Sequence, residues 1–402
     1  MTDHDVAGAR PAFSPAIAHF ALAFGGFAIG TTEFATMSFL PAFSDGLGVD
    51  APTGGHVISA YALGVVIGAP LLAVIGAKLN RRTLLIVLMS WFALGNILSA
   101  FAPTFTSLLI LRFLTAVPHG AYFGIAVLVA AGLVPESQRA SAIGRVLMGL
   151  TVATIVGVPV ANVIAQALGW RYGFGIFGLL ACLAVILVAW VIPAQVPAQG
   201  ATPLRELGAL RRGQVWLTLG IGAIGFGGLF AVYTYLASTL ALVTKAPNHT
   251  VPIILALFGT GMTLGNFLAA RLAKRGVMRA IGVLLGWSAV AMAVYPLTVS
   301  HLWWIGIDVF AIGFGGGLGT LLQMRLMDVA GDAQGLAAAL NHSAFNVANA
   351  LGPWLGGLAI AAGCGWASTG WAGCGLALGG LAVWAVALIT ACGRAQNAEV
   401  TR

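Results

Sequence analysis

The sequence predicts an all-α polytopic membrane protein, with twelve transmembrane helices in two pseudo-symmetric six-helix halves. Three observations lead there. Of 402 residues only 30 are charged (19 Lys+Arg, 11 Asp+Glu), while 59% are hydrophobic; ordinary soluble domains are about a quarter charged. The apolar residues run in long stretches, about the 20 residues or more that a helix needs to cross a bilayer. The lysines and arginines gather on one side of the resulting chain. So little polar surface excludes a soluble enzyme, a nucleic-acid binder and a disordered chain. A β-barrel would show short alternating segments instead of long runs.

The twelve stretches fall at about 16–43, 52–76, 83–101, 104–131, 138–167, 171–192, 214–243, 250–272, 278–299, 302–330, 335–362 and 366–393. Residues 1–15 then form an N-terminal tail and 394–402 a C-terminal tail. The tail before the first span has Asp3, Asp5 and only Arg10, which is no basic leader for a cleaved signal. The longest connection, 193–213, is rich in Pro, Gln and charge. It divides the chain into six-helix halves at 16–192 and 214–393.

With the N-terminus inside, one face holds 16 of the 19 basic residues: Arg10, Lys78, Arg81, Arg82, Arg139, Arg145, Arg205, Arg211, Arg212, Arg271, Lys274, Arg275, Arg279, Arg325, Arg394 and Arg402. The opposite face holds Arg171 and Lys245, and Arg112 lies within a span. This asymmetry predicts an even number of spans, both termini in the cytoplasm, and the cell inner (plasma) membrane as location. The formal charge of +8 thus marks a membrane face and no nucleic-acid partner. Trp170, Trp303, Trp304 and Trp366 stand at external span ends, where interfacial anchors are expected.

The halves read as a duplication. An offset of 196 places Gly169-Trp170 on Gly365-Trp366 and Arg112 on Asp308. Glycine numbers 55, about twice the usual share, as expected where helices approach closely in lipid. The run Gly313–Gly319 lacks the spacing and the preceding strand of a phosphate loop and reads as a packed helix. The four cysteines have no metal-ligand spacing, so no metal site is expected. They read as packing residues, with Cys364 and Cys374 near one turn as a conceivable pair.

Charged groups inside a membrane are costly and mark function. Glu33 lies in the first span among apolar neighbours. Desolvation disfavours the charged form of such a carboxylate, a property a proton carrier needs; the other reading is a structural ion pair. Arg112, in the fourth span, is open to three roles: pairing with Glu33, holding a neighbouring helix, or attracting an anionic group. Asp308 is open to a second proton site, a carboxylate for cationic substrates, or a solvated interfacial acid. His119 follows Pro118 and lies seven residues from Arg112, on the same helix face. It reads as a proton-transfer group or as a hydrogen-bonded core histidine. The eleventh span carries His342, Asn346 and Asn349 on one stripe, facing other helices or a cavity. Thr32, Met37, Phe123, Tyr233 and Tyr235 are candidate surfaces for an amphiphilic ligand. No GxSxG, HExxH or nucleotide-binding motif is present. The chain is read as no enzyme, with no cofactor, and uphill transport as drawing on an ion gradient.

Four segments, together with the span pattern, carry a resemblance: GTTEFATMSFLP (30–41), RFLTAVPHGAYFG (112–124), GVPVANVIAQALGWRYGF (157–174) and NHSAFNVANALGPWLGG (341–357). The chain resembles the major facilitator superfamily and, within it, the drug/proton antiporter branch and its sugar- and arabinose-efflux-permease-like group. The resemblance implies the major facilitator fold, rocking of two halves about a central cavity, and a monomer. It also implies export in exchange for protons, with Glu33 as the proton site and Arg112 as the buried arginine. Gly76, Arg81 and Arg82 fall on the motif between spans two and three, and Gly157 and Pro159 on the antiporter motif of span five. Two departures stand out. The segment GAKLNRR (76–82) has Asn80 where the family carries an acid, and the span-five motif lacks a glycine pair. The implied substrates are sugars, nucleosides and amphiphilic drugs. A proton-coupled importer (symporter) of a small neutral solute is the competing reading.

Overall fold

The structure is a computed structural model, and it describes residues 14–76, 79–193, 211–330 and 334–400. Most of the N-terminal tail, most of the linker 193–213, and Lys78 lie outside the described residues. Twelve helices are long and apolar enough to cross a membrane: α1 Pro15–Ser38, α2 Ala51–Leu72, α3 Arg81–Ala100, α4 Phe105–Gly132, α5 Ser141–Leu168, α6 Trp170–Val191, α7 Gly213–Leu242, α8 Asn248–Ala273, α9 Val277–Thr298, α10 Leu302–Ala330, α11 Leu340–Cys364 and α12 Ser368–Ala391. The protein is a multi-pass membrane protein with these twelve spans. Helices are the form lipid demands, since each satisfies its backbone polar groups internally. The α2 helix runs on to Gly76 and the α12 helix to Val400.

The internal duplication is written in backbone contacts. Gly64 and Gly68 of α2 lie against the carbonyls of Phe113 and Val117 in α4. In the second half, Gly261 and Gly265 of α8 lie against the carbonyls of Phe310 and Phe314 in α10. A Cβ at any of the four would collide with backbone, so each pair is a small-xxx-small seam. The indoles repeat as well. Trp91 of α3 donates to Leu114 O at 3.0 Å, and Trp287 of α9 donates to Ala311 O at 2.8 Å.

Several spans are broken, and the breaks follow local chemistry. Pro118 separates Phe105–Ala116 from His119–Gly132 in α4. At the corresponding point of α10, Gly315–Gly317 forms a 3₁₀ turn. In α5 the backbone widens to a π-helical turn over Ala153–Gly157, ahead of Pro159. Proline has no N–H to give to the carbonyl four residues back, and such a turn absorbs the missing bond.

Three details differ from the sequence reading. The first span ends at Ser38 and does not run to residue 43; a short helix, Leu40–Leu47, follows. Pro41 cannot continue the α1 hydrogen-bond ladder, and Gly48, at φ 68°, ends the short helix. That helix packs on Trp170, with the Phe43 and Trp170 ring centroids 6.4 Å apart. Trp170 is therefore 5% exposed, whereas Trp303 is 85% exposed. It is a core residue, with the Arg171 guanidinium 4.2 Å from its ring centroid. Cys364 and Cys374 are both free thiols and do not pair.

Candidate functional site

Some of the polar residues that the apolar pattern isolates meet where the two halves touch. Glu33 sits in the second half of α1, buried among Thr31, Thr32 and Thr36. Thr32 and Thr36 spend their hydroxyls on their own helix, at Ala28 O (2.8 Å) and Thr32 O (2.6 Å). Neither is left to bond Glu33. The Glu33 carboxylate instead accepts a hydrogen bond from Asn349 Nδ2 of α11 at 2.9 Å. A group of the first half is thus bound to a group of the second.

Among the described residues Arg112 makes no contact ion pair with a carboxylate; its charge and that of Glu33 attract at longer range. Its Nη1 donates to Asn96 Oδ1 of α3 at 3.2 Å. Its guanidinium lies 4.2 Å from the ring centroid of Tyr61 in α2 and 5.4 Å from that of Phe174 in α6. Of the three sequence readings for Arg112, the geometry supplies the hold on neighbouring helices. Arg112 is 1% exposed, and its Nε is left without a partner. An aromatic face is one of the few surfaces that can stabilise an unpaired guanidinium away from water.

His119, below the Pro118 break, has Nδ1 3.0 Å from the Tyr61 hydroxyl. Tyr61 therefore joins Arg112 and His119 of α4, and it is the residue that the sequence reading missed. Its signal was present, as a polar aromatic in an apolar span, but nothing in the spacing of one helix tells which other helix it meets. The His119 ring centroid is 5.6 Å from that of Phe123. Phe123 in turn stacks on His342 of α11 at 5.4 Å and 12°. This is a second contact between the halves.

On the α11 stripe, Asn346 donates to His342 O at 3.0 Å. Asn346 Oδ1 and Asn349 Oδ1 are both buried without a partner. Tyr233 of α7 lies against Phe34 of α1 at 5.8 Å, edge to face, and against Phe258 of α8 at 4.2 Å. Phe34 also stacks on Phe230 at 6.1 Å. Tyr235 points elsewhere: it donates to Pro353 O at 2.8 Å and fills the notch between Gly55 and Gly357. Met37 is fully buried in the apolar core beside this seam.

Asp308 is not brought to this cluster. It is 6% exposed and accepts from Thr298 Oγ1 of α9 at 3.0 Å, within the second half. It is a buried acid and not a solvated interfacial one.

The motif residues have separate tasks. Asn80 caps α3, accepting from Arg82 N at 2.9 Å, so the position that departs from the family pattern starts a helix. Arg82 Nη2 donates to Ala189 O near the end of α6. Arg81 begins α3, and Gly76 closes the helix before it. Gly157 lies in the π-helical turn against Thr31 and Phe27 of α1, where a side chain would not fit. The same turn touches the second half, since Gly259 of α8 packs on Thr154 O. Outside this cluster, a groove of about 510 Å³ between α2 and α11 is lined mostly by apolar residues, among them Leu63, Leu109, Val347 and Trp354.

Comparison with known proteins places this geometry in context. The model of the Major Facilitator Superfamily matches residues 22–328. The inner membrane transport protein YdhP of Escherichia coli K12 is 40% identical over 356 residues, covering 86% of this chain and 89% of its own length. The chloramphenicol resistance protein of Streptomyces lividans is 33% identical over 337 residues, covering 81% and 84%. Among solved structures, a bacterial homologue of the human lysosomal transporter Spinster, in an inward-facing and unoccupied conformation, aligns with a TM-score of 0.63. At 18% identity, over 94% of this chain and 95% of the other, that likeness concerns the fold.

Proposed function

Because this chain belongs to the Major Facilitator Superfamily, we propose that it exports a small molecule by alternating access, driven by protons that Glu33 carries. The protein is a transporter and not an enzyme. One observation supports the proton reading above the others: Glu33, buried in α1, has Asn349 of the opposite half as its hydrogen-bond partner. A hydrogen bond to a charged carboxylate is roughly twice as strong as one to a neutral group. Protonation of Glu33 therefore weakens a link between the halves and biases the inward–outward equilibrium. The relative named for chloramphenicol resistance supports export, since removing a drug from the cell confers resistance to it. The implied substrate is a sugar, a nucleoside or an amphiphilic drug. It would contact Thr32, Met37, Phe123, Tyr233, His342, Asn346 and Asn349, with His119 and Arg112 beside the proton path. Asp308, buried in the second half, is assigned as a further proton site. Both termini are assigned to the cytoplasm, a reading that the gathering of basic residues on one face supports, and the relative named as an inner membrane protein supports that membrane. The transporter is proposed to act as a monomer.

The test is efflux driven by an imposed proton gradient from proteoliposomes holding the wild type or Glu33→Gln, screened over aryl glycosides, nucleosides and chloramphenicol. The expected result is gradient-driven efflux in the wild type and uncoupled exchange in the variant. Coupled efflux that survives Glu33→Gln sinks the proton assignment. Inward accumulation driven by external acid establishes the importer instead.

A further inference from the structure

Tyr61 touches Arg112 and His119 of α4 from a different helix. Its ring centroid is 4.2 Å from the Arg112 guanidinium, and its hydroxyl is 3.0 Å from His119 Nδ1. Tyr61 and His119 are each 2% exposed, so bulk water does not complete their hydrogen bonding. Two proton arrangements fit the bond. With Tyr61 as donor, His119 carries its proton on Nε2, and that single N–H is left without a protein partner. With His119 Nδ1–H as donor, the phenolic proton and the Nε2 lone pair are left over, against the Nε2–H and the phenolic oxygen's lone pairs in the first arrangement. The number of unmade bonds is equal, but a phenol O–H is a stronger donor than a neutral imidazole N–H, and the bare ring nitrogen is a more basic acceptor than a phenolic oxygen, so the first arrangement is the more stable.

We infer that Tyr61 is a positioning residue: its hydroxyl fixes His119 as the Nε2–H tautomer, while its ring holds the Arg112 guanidinium. Which nitrogen of a histidine carries the proton is set by the bond the other makes. His119 then offers the site a hydrogen-bond donor at Nε2, free for an acceptor on a ligand, and cannot accept there. One aromatic residue of α2 thus orients two side chains of α4 across a helix contact that Gly64 and Gly68 bring to backbone distance. The inference does not depend on Glu33 carrying the proton, so it can fail while the transport mechanism stands, and the reverse.

The experiment is solid-state ¹⁵N NMR of the full-length protein, histidine-labelled, in lipid bilayers. The His119 signals are identified by their loss in His119→Gln. In the wild type the expected pattern is a bare Nδ1 and a protonated Nε2. In Tyr61→Phe, which keeps the ring under Arg112 but removes the hydroxyl, the His119 signals are expected to shift to a mixture of tautomers. The protein has seven histidines, and the signals of the others should stay in place, reporting an intact fold. A wild-type His119 protonated at Nδ1 or at both nitrogens overturns the inference without any variant. An unchanged His119 tautomer in Tyr61→Phe overturns it as well.

Discussion

Asn349 Nδ2 of α11 donates to Glu33 Oε1 of α1 at 2.9 Å, across the seam between the two halves. Asn349 Oδ1 has no partner, so the amide is oriented by the carboxylate alone. The bond ties a group that can change charge to the relative placement of two six-helix bodies.

Asn349→Leu leaves the Glu33 carboxylate buried without a donor. Thermal unfolding in detergent is expected to show a loss of roughly 1–3 kcal/mol, the cost of an unsatisfied buried group. Combined with Glu33→Gln, the two losses should fall short of additive, because both changes act on one bond, the first removing it and the second weakening it. Fully additive losses would show that the bond carries no coupling.

Arg112→Lys keeps the charge but not the planar group that lies over Tyr61 and reaches Asn96. An ammonium is a compact, strongly hydrated charge and makes a poor substitute at a stacked site. Transport is expected to fall by about tenfold or more, equivalent to about 1.4 kcal/mol. A lysine variant with wild-type rates would mean that only the charge matters here.

The two glycine seams predict matched damage in the two halves. Gly68→Leu drives a side chain into Val117 O, and Gly265→Leu drives one into Phe314 O. Each is expected to cost about 1–3 kcal/mol by overpacking, measured as a lowered unfolding midpoint. Gly124→Leu, where nothing lies within 4 Å of the added Cβ, serves as the control and should be near neutral. Damage confined to one half would break the structural equivalence.

Pro159→Ala restores the N–H whose absence shapes the turn over Ala153–Gly157. The expected outcome is a regular α5, with the part of the helix after Pro159 rotated relative to Thr154. Spin labels on the two ends of α5 should report a changed distance and, through the Gly259 contact, altered exchange between the two transport states. An unchanged distance assigns the π-turn to packing against Phe27 and Thr31 alone.

Much of the architecture was legible in the residues. Twelve apolar stretches announced twelve spans because lipid admits only structures that satisfy their own backbone. Boundaries were less legible where a local break competes with hydropathy. The stretch 16–43 is apolar throughout, yet Pro41 stops the ladder and the chain turns at Phe39. Trp170 read as an interfacial anchor from its place at a span end, but the short helix after α1 covers it. Asn80 read as a defect in a charged motif, and the fold uses it as a helix cap.

For the candidate site, scarcity did the selecting. With 30 charges in 402 residues, a lone Glu33, Arg112 or Asp308 stands out because the membrane makes each one expensive. The sequence by itself determined the fold class, the span count and which residues are anomalous in lipid, since all three follow from transfer energies of residues taken singly or in runs. Only the tertiary structure decided the partners. It gave Glu33 to Asn349 and not to Arg112, set Arg112 and His119 on Tyr61, and left Asp308 with Thr298 away from the seam. Partnership depends on which helix faces which, and that is decided by close backbone contacts at residues such as Gly68 and Gly265, over distances along the chain that no local pattern records.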